Sequence, residues 1–113
     1  MEPSIVLLTI PRNAALSAPV ELTYDNVAGI ILPDAWDAAP VSFAVSIDGA
    51  HFHDAYTPDG GEVTVSADIA KPGRFIALDF GAVRSLKVRS GTGASPVSQS
   101  QDRTVQLVVT NAG

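Results

Sequence analysis

The chain has 113 residues, 46% hydrophobic and 17% charged, with a net charge of −5 and no cysteine. Such a chain is long enough to bury roughly two-thirds of its unfolded surface in one core, and too apolar for a disordered tail. The acidic balance speaks against a nucleic-acid binder, and the missing thiols exclude disulfides, thiolate nucleophiles and cysteine-based zinc sites.

No unbroken apolar run exceeds four residues, as in Ile5 to Leu8, against the ~20 that a membrane-spanning helix needs. No membrane role is expected. Met1-Glu2-Pro3 lacks the basic region of a secretory signal, so the chain is expected to mature as synthesised.

Strand signals separated by turn residues recur along the whole chain, the pattern of a sandwich or barrel. Ile5 to Ile10 is β-branched and apolar and stops at Pro11. Val20 to Tyr24 is a second strand, turned by Asp25-Asn26 into Val27 to Leu32, which Pro33 closes. Pro33 to Trp36 suits a single helical turn at most. Trp36, the only tryptophan, reads as the buried anchor of that loop, with a sugar-stacking platform as the alternative.

Val41 to Ile47 alternates most cleanly: Val41, Phe43, Val45 and Ile47 on a core face, Ser42, Ala44 and Ser46 on the other. Asp48-Gly49 predicts a type I′ hairpin, pairing Ala50 to Tyr56 back and bringing Phe52 and Tyr56 towards the core. Strands follow at Glu62 to Ser66, Arg74 to Leu78, Val83 to Arg89 and Arg103 to Thr110. Ser90 to Asp102, rich in Ser, Gly, Thr and Gln, is the longest loop, and loops of that length are usually functional or mobile. No repeat or composition shift marks a second domain, so residues 1–113 read as one all-β antiparallel sandwich of about eight strands.

The charge is uneven. Residues 1–70 carry −9 with a single base, Arg12, whereas residues 71–113 carry +4. Two readings fit: a head-to-tail contact between copies, or strands of the two halves interleaving so that the charges mix within one chain.

No catalytic constellation can be assembled, and the chain is expected not to be an enzyme. His51 and His53 share a face of a predicted strand but lack a third metal ligand at a set spacing. The Asp-bearing turns at 25, 48 and 59 match no calcium loop. No nucleophile elbow accompanies the serines, and Gly91-Thr92-Gly93 lacks the lysine and helix of a phosphate loop. No metal or cofactor is therefore expected.

The stretch from Val41 to Phe52 (VSFAVSIDGAHF), with Gly73 to Leu78 (GRFIAL) and Leu86 to Arg89 (LKVR), resembles discoidin-like, galactose-binding-like jelly rolls over roughly residues 41 to 110. The ligand loops of that superfamily vary too much to carry any binding residue across. The whole chain is similar to small proteins encoded among the structural genes of tailed phages and prophages. That likeness lies in Ile31 to Trp36 (ILPDAW), the Ser46 to Gly49 hairpin, Arg89 to Thr92, Pro96-Val97 and Gln101 to Arg103.

The likeness implies a virion component assembled in a host cytoplasm, a capsid decoration or cement protein whose partners are the major capsid protein and copies of itself. The segments least demanded by a sandwich, residues 1–10 and 90–102, are then the expected contact elements, with Ile5, Leu7, Arg89, Thr92, Ser95, Val97 and Gln99 as contact residues. The alternative is a carbohydrate-binding head-spike or tail module, with Trp36, His51, His53 and Tyr56 lining a shallow site for a host glycan.

Overall fold

The chain folds as one long hairpin rolled onto itself. A computed structural model describes residues 3–78, 80 and 83–110. The first strand, β1 (Pro3–Ile10), pairs antiparallel with the last, β9 (Arg103–Thr110), in unbroken register from Pro3 opposite Thr110 to Ile10 opposite Arg103. The second, β2 (Val20–Glu21), pairs with the second from last, β8 (Ser85–Ser90). Inside these, β3 (Asn26–Ile31) pairs with β7 (Phe75–Ala77), and β4 (Val41–Ser46) with β5 (His53–Asp54) and β6 (Thr64–Val65).

Lateral pairing of β9 with β3 and of β8 with β4 closes the roll into two antiparallel sheets, β1-β9-β3-β7 and β2-β8-β4-β5, with β6 beside β5 on the edge of β4. This nested order of a four-stranded and a five-stranded layer is a jelly roll, the antiparallel sandwich expected from the sequence, with nine strands in place of about eight. The nesting also mixes part of the uneven charge within one chain, because it lays the acidic first part on the basic second. Glu21 meets Arg84 at 3.2 Å, Asp54 and Glu62 meet Arg89 at 2.6 and 3.4 Å, and Asp37 meets Arg103 at 2.8 Å.

The period-two pattern sets the core. Leu8 and Ile10, Val27 and Ile30, and Val105, Leu107 and Val109 face inward from one sheet to meet Val41, Phe43, Leu86 and Val88 of the other. Phe43 packs edge-on against Phe80, ring centres 4.8 Å apart. Each large aliphatic buried this way stabilises by about 1.5–3 kcal/mol.

Three expectations are corrected. Asp48 does not take positive φ, so Asp48-Gly49 is not a type I′ hairpin; Ile47 to Phe52 form a wider loop, and Ile47 turns out to solvent. The Asp48 carboxylate shapes that loop, accepting from the Ser46 hydroxyl and the backbone N–H groups of Ala50 and His51 at 2.8 to 3.0 Å. The left-handed pair lies instead at Thr23 (φ 52°) and Tyr24 (φ 63°), where Asp25 N–H donates to Leu22 O and the chain crosses between sheets. Tyr56, expected in the core, is exposed.

Candidate functional site

The two outer surfaces of the sandwich differ in chemistry. On the β2-β8-β4-β5 sheet, Ser42, Ala44 and Ser46 were expected at the surface but are buried. The 91–96 loop and Arg89 close over Ser42, while Ser46 donates to Asp48 and accepts from the Gly49 N–H of the loop that follows it. Arg89 donates to Asp54, Glu62 and the Ser42 hydroxyl, and the backbone N–H of Gly93 donates to Glu62 at 3.0 Å. The Lys87 ammonium stands 4.4 Å over the Phe52 ring. Arg89 is thus engaged within the chain, its side chain 12% exposed, rather than free for a partner.

The long loop is likewise built in. Gly91, at φ 94°, approaches Ser95 and Pro96 so closely that an added Cβ would lie 2.5 Å from Ser95 O, a conformation only glycine tolerates. Thr92 and Ser95 exchange backbone hydrogen bonds, and Val97 N–H returns to Ser90 O at 2.9 Å. Gln99, expected as a contact residue, is fully buried. Its Nε2 donates to Ser90 Oγ (2.8 Å) and Asp37 O (3.2 Å), and its Oε1 accepts from Asp37 N–H (2.9 Å) and Arg103 Nε (3.1 Å). A buried amide with every lone pair and proton used is structural. Of the expected loop contacts, Ser95 and Val97 remain on the surface, and Thr92 is half-buried with its hydroxyl accepting from Ser95 N–H.

The glycan constellation also comes apart. Trp36 is buried, with Nε1 donating to Ala39 O, and so cannot be a stacking platform. His51 Nδ1 sits 2.7 Å from Asp48 Oδ2, and His53 is exposed on β5 opposite Val45. Tyr56 alone borders a cavity, an open one of about 370 Å³ lined mainly by Val45, Ala55, Pro58, Val63 and Phe80, with Asp54 at its wall. Among the described residues no three His, Asp or Glu side chains are grouped to hold a metal.

The outer face of the β1-β9-β3-β7 sheet is different. Register fixes two rows across it: Ile5, Val108, Gly29 and Ala77, then Leu7, Gln106, Ile31 and Phe75. Thr9 and Thr104 continue it, their hydroxyls 3.0 Å apart, and Pro3 faces Thr110. None of these residues is charged. Ile5, Leu7 and Phe75 are 60%, 61% and 57% exposed. The Phe75 ring lies on Gly29, where a Cβ would stand 2.4 Å from it; the glycine is what lets the ring come this close to the sheet.

Contiguous apolar surface of this kind marks an interaction site far better than single exposed residues do. Ile5 and Leu7 were expected as contact residues; Ile31, Phe75 and Val108 were not, because each sits in a strand whose alternate residues fill the core. Only the register brings them beside Ile5 and Leu7. Of the expected contact segment 1–10, Met1 and Glu2 lie outside the described residues.

No protein-family model, curated protein or solved structure matches this chain.

Proposed function

We propose that this protein is a non-enzymatic assembly component, a decoration or cement protein of a tailed-phage particle, that docks on the major capsid protein shell through the outer face of its β1-β9-β3-β7 sheet. The observation that carries the reading is the uncharged surface built by Ile5, Leu7, Ile31, Val108 and Phe75. It spans all four strands of the sheet, suited to another protein's surface rather than to a small molecule. The viral partner comes from the sequence likeness, and the fold supports an attachment role without specifying it.

Docking in many copies lets a modest interface per copy, ~800 Å² per partner for a standard complex, sum over a symmetric shell. The chemistry required of the partner is an apolar patch rimmed by polar groups, with no unpaired charge at its centre. The glycan alternative keeps Tyr56 beside its cavity but loses Trp36, and is the weaker reading.

The test begins with the neighbouring genes: they are expected to encode head proteins, and a locus devoid of virion genes would overturn the viral partner. Empty capsids from that locus are then expected to bind the purified chain to saturation. A chain that stays unbound over capsids at tens of micromolar would end the cement reading.

A further inference from the structure

We infer that β1 is also a self-association edge, along which two copies pair antiparallel about a two-fold axis at Val6 and join their first sheets into one continuous eight-stranded layer. This goes beyond attachment to a partner, since it concerns the edge of the sheet and not its face.

The four edges of the sandwich are not alike. β7 is three residues long, β2, β5 and β6 two each, and they carry or adjoin Arg74, Pro19, Glu21 and Asp54. Short, charged or proline-bearing edges resist pairing with other chains. β1 spans eight residues, and within it the only such device is Pro3 at its first position. No bulge interrupts its register with β9. Outside that ladder no backbone hydrogen bond joins β1 to another described residue, so among the described residues one side of the strand is left unpaired.

An extended strand is the occupant that fits such an edge, and three features select a second copy. Residues 3–10 hold no charge, so self-pairing opposes no like charges. In the sequence an acid, Glu2, precedes the strand and a base, Arg12, follows it, so antiparallel pairing runs ends of unlike charge alongside each other, the two residues two positions out of direct opposition in a register centred on Val6. Among the described residues the Arg12 guanidinium has no carboxylate partner within its own chain. A register centred on Val6 sets Ile5 opposite Leu7 of the other copy, twice over by symmetry, on the same outer face where both side chains are exposed. The pair thereby doubles the width of the apolar face.

The mass of the full chain in solution, by sedimentation equilibrium from about 10 to 200 µM, tests this without any partner present. Twice the 11.7 kDa chain mass is expected, with alternate β1 amides gaining hydrogen-exchange protection as concentration rises. Ile5→Lys with Leu7→Lys is expected to sediment as a monomer with an unchanged β circular-dichroism spectrum, because both side chains are exposed in the single chain. Phe75→Lys, three strands away, is expected to remain paired. Glu2→Arg and Arg12→Glu are each expected to weaken pairing several-fold, and together to restore it. Wild type at the single-chain mass throughout, β1 amide protection independent of concentration, or a double-lysine variant that still pairs as wild type would overturn the inference.

Discussion

Gln99 and Arg103 are bonded side chain to side chain inside the protein, Oε1 accepting from Nε at 3.1 Å, while the guanidinium reaches on to Asp37 at 2.8 Å. The pair ties the loop before β9 to the segment between β3 and β4. Ser100 N–H closes the circuit on the other Asp37 oxygen at 2.7 Å. A stretch whose composition reads as free loop is therefore anchored to the body of the sandwich by a network of polar side chains.

Gln99→Ala is expected to destabilise the fold by about 2–4 kcal/mol, since it strands the buried Arg103 Nε and the Ser90 hydroxyl and opens a cavity. Urea denaturation measures it. A loss below about 0.5 kcal/mol, the scale of surface substitutions, would mean that the network is dispensable.

Phe43→Ala is expected to cost about 3–5 kcal/mol, because the ring fills the centre of the interlayer and packs on Phe80. Tyr56→Ala, on an exposed side chain, is expected to stay within about 0.5 kcal/mol of wild type. Comparable losses for the two would contradict the assignment of the core.

Thr23 takes φ 52° with a β-branched side chain, a conformation costing roughly 1–2 kcal/mol for an L residue. Thr23→Gly is expected to stabilise by about 0.5 kcal/mol after the added freedom of the unfolded chain is subtracted. A fall in Tm would show that Thr23 makes contacts outweighing its strain.

The Asp48 carboxyl is held well below the usual carboxylate range by the His51 backbone N–H first and by the His51 ring and Ala50 N–H after it. Asp37, bonded by Ser100, and Asp59, bonded by Thr57, are lowered as well. A carboxylate lowered on folding contributes stability above its unfolded value of 3.8, and that contribution is lost as pH falls through the folded value. Tm is therefore expected to be level near neutrality and to drop below about pH 4. Asp48→Asn is expected to start lower at pH 7 and drop less on acidification, as followed by thermal melts from pH 7 to 2; parallel curves for the two proteins would contradict the role of Asp48.

Much of the sandwich was legible because alternation is local. Val105, Leu107 and Val109 announce the inner face of β9 within one stretch of chain, and Pro11 and Pro33 mark where strands stop. Turn geometry was less so: Asp48 read as a hairpin residue, but its carboxylate gathers N–H groups and opens the turn into a wider loop. Gln99 carried no local signal at all, since its partners Asp37 and Arg103 are set by the fold. The same holds for the apolar face. Phe75 and Ile31 become neighbours of Leu7 only through the β1-β9-β3-β7 order, which depends on the nested pairing of distant strands.

The central claim is that the uncharged sheet face is the attachment surface. It is tested most directly by binding of Phe75→Lys to purified capsids beside wild type and beside Lys87→Ala on the opposite sheet. Phe75 is exposed and far from the β1 edge, so the variant is expected to keep its melting temperature and its self-association. Occupancy is expected to fall at least tenfold for Phe75→Lys and to be unchanged for Lys87→Ala. Equal occupancy for wild type and Phe75→Lys, or loss only with Lys87→Ala, would contradict the account.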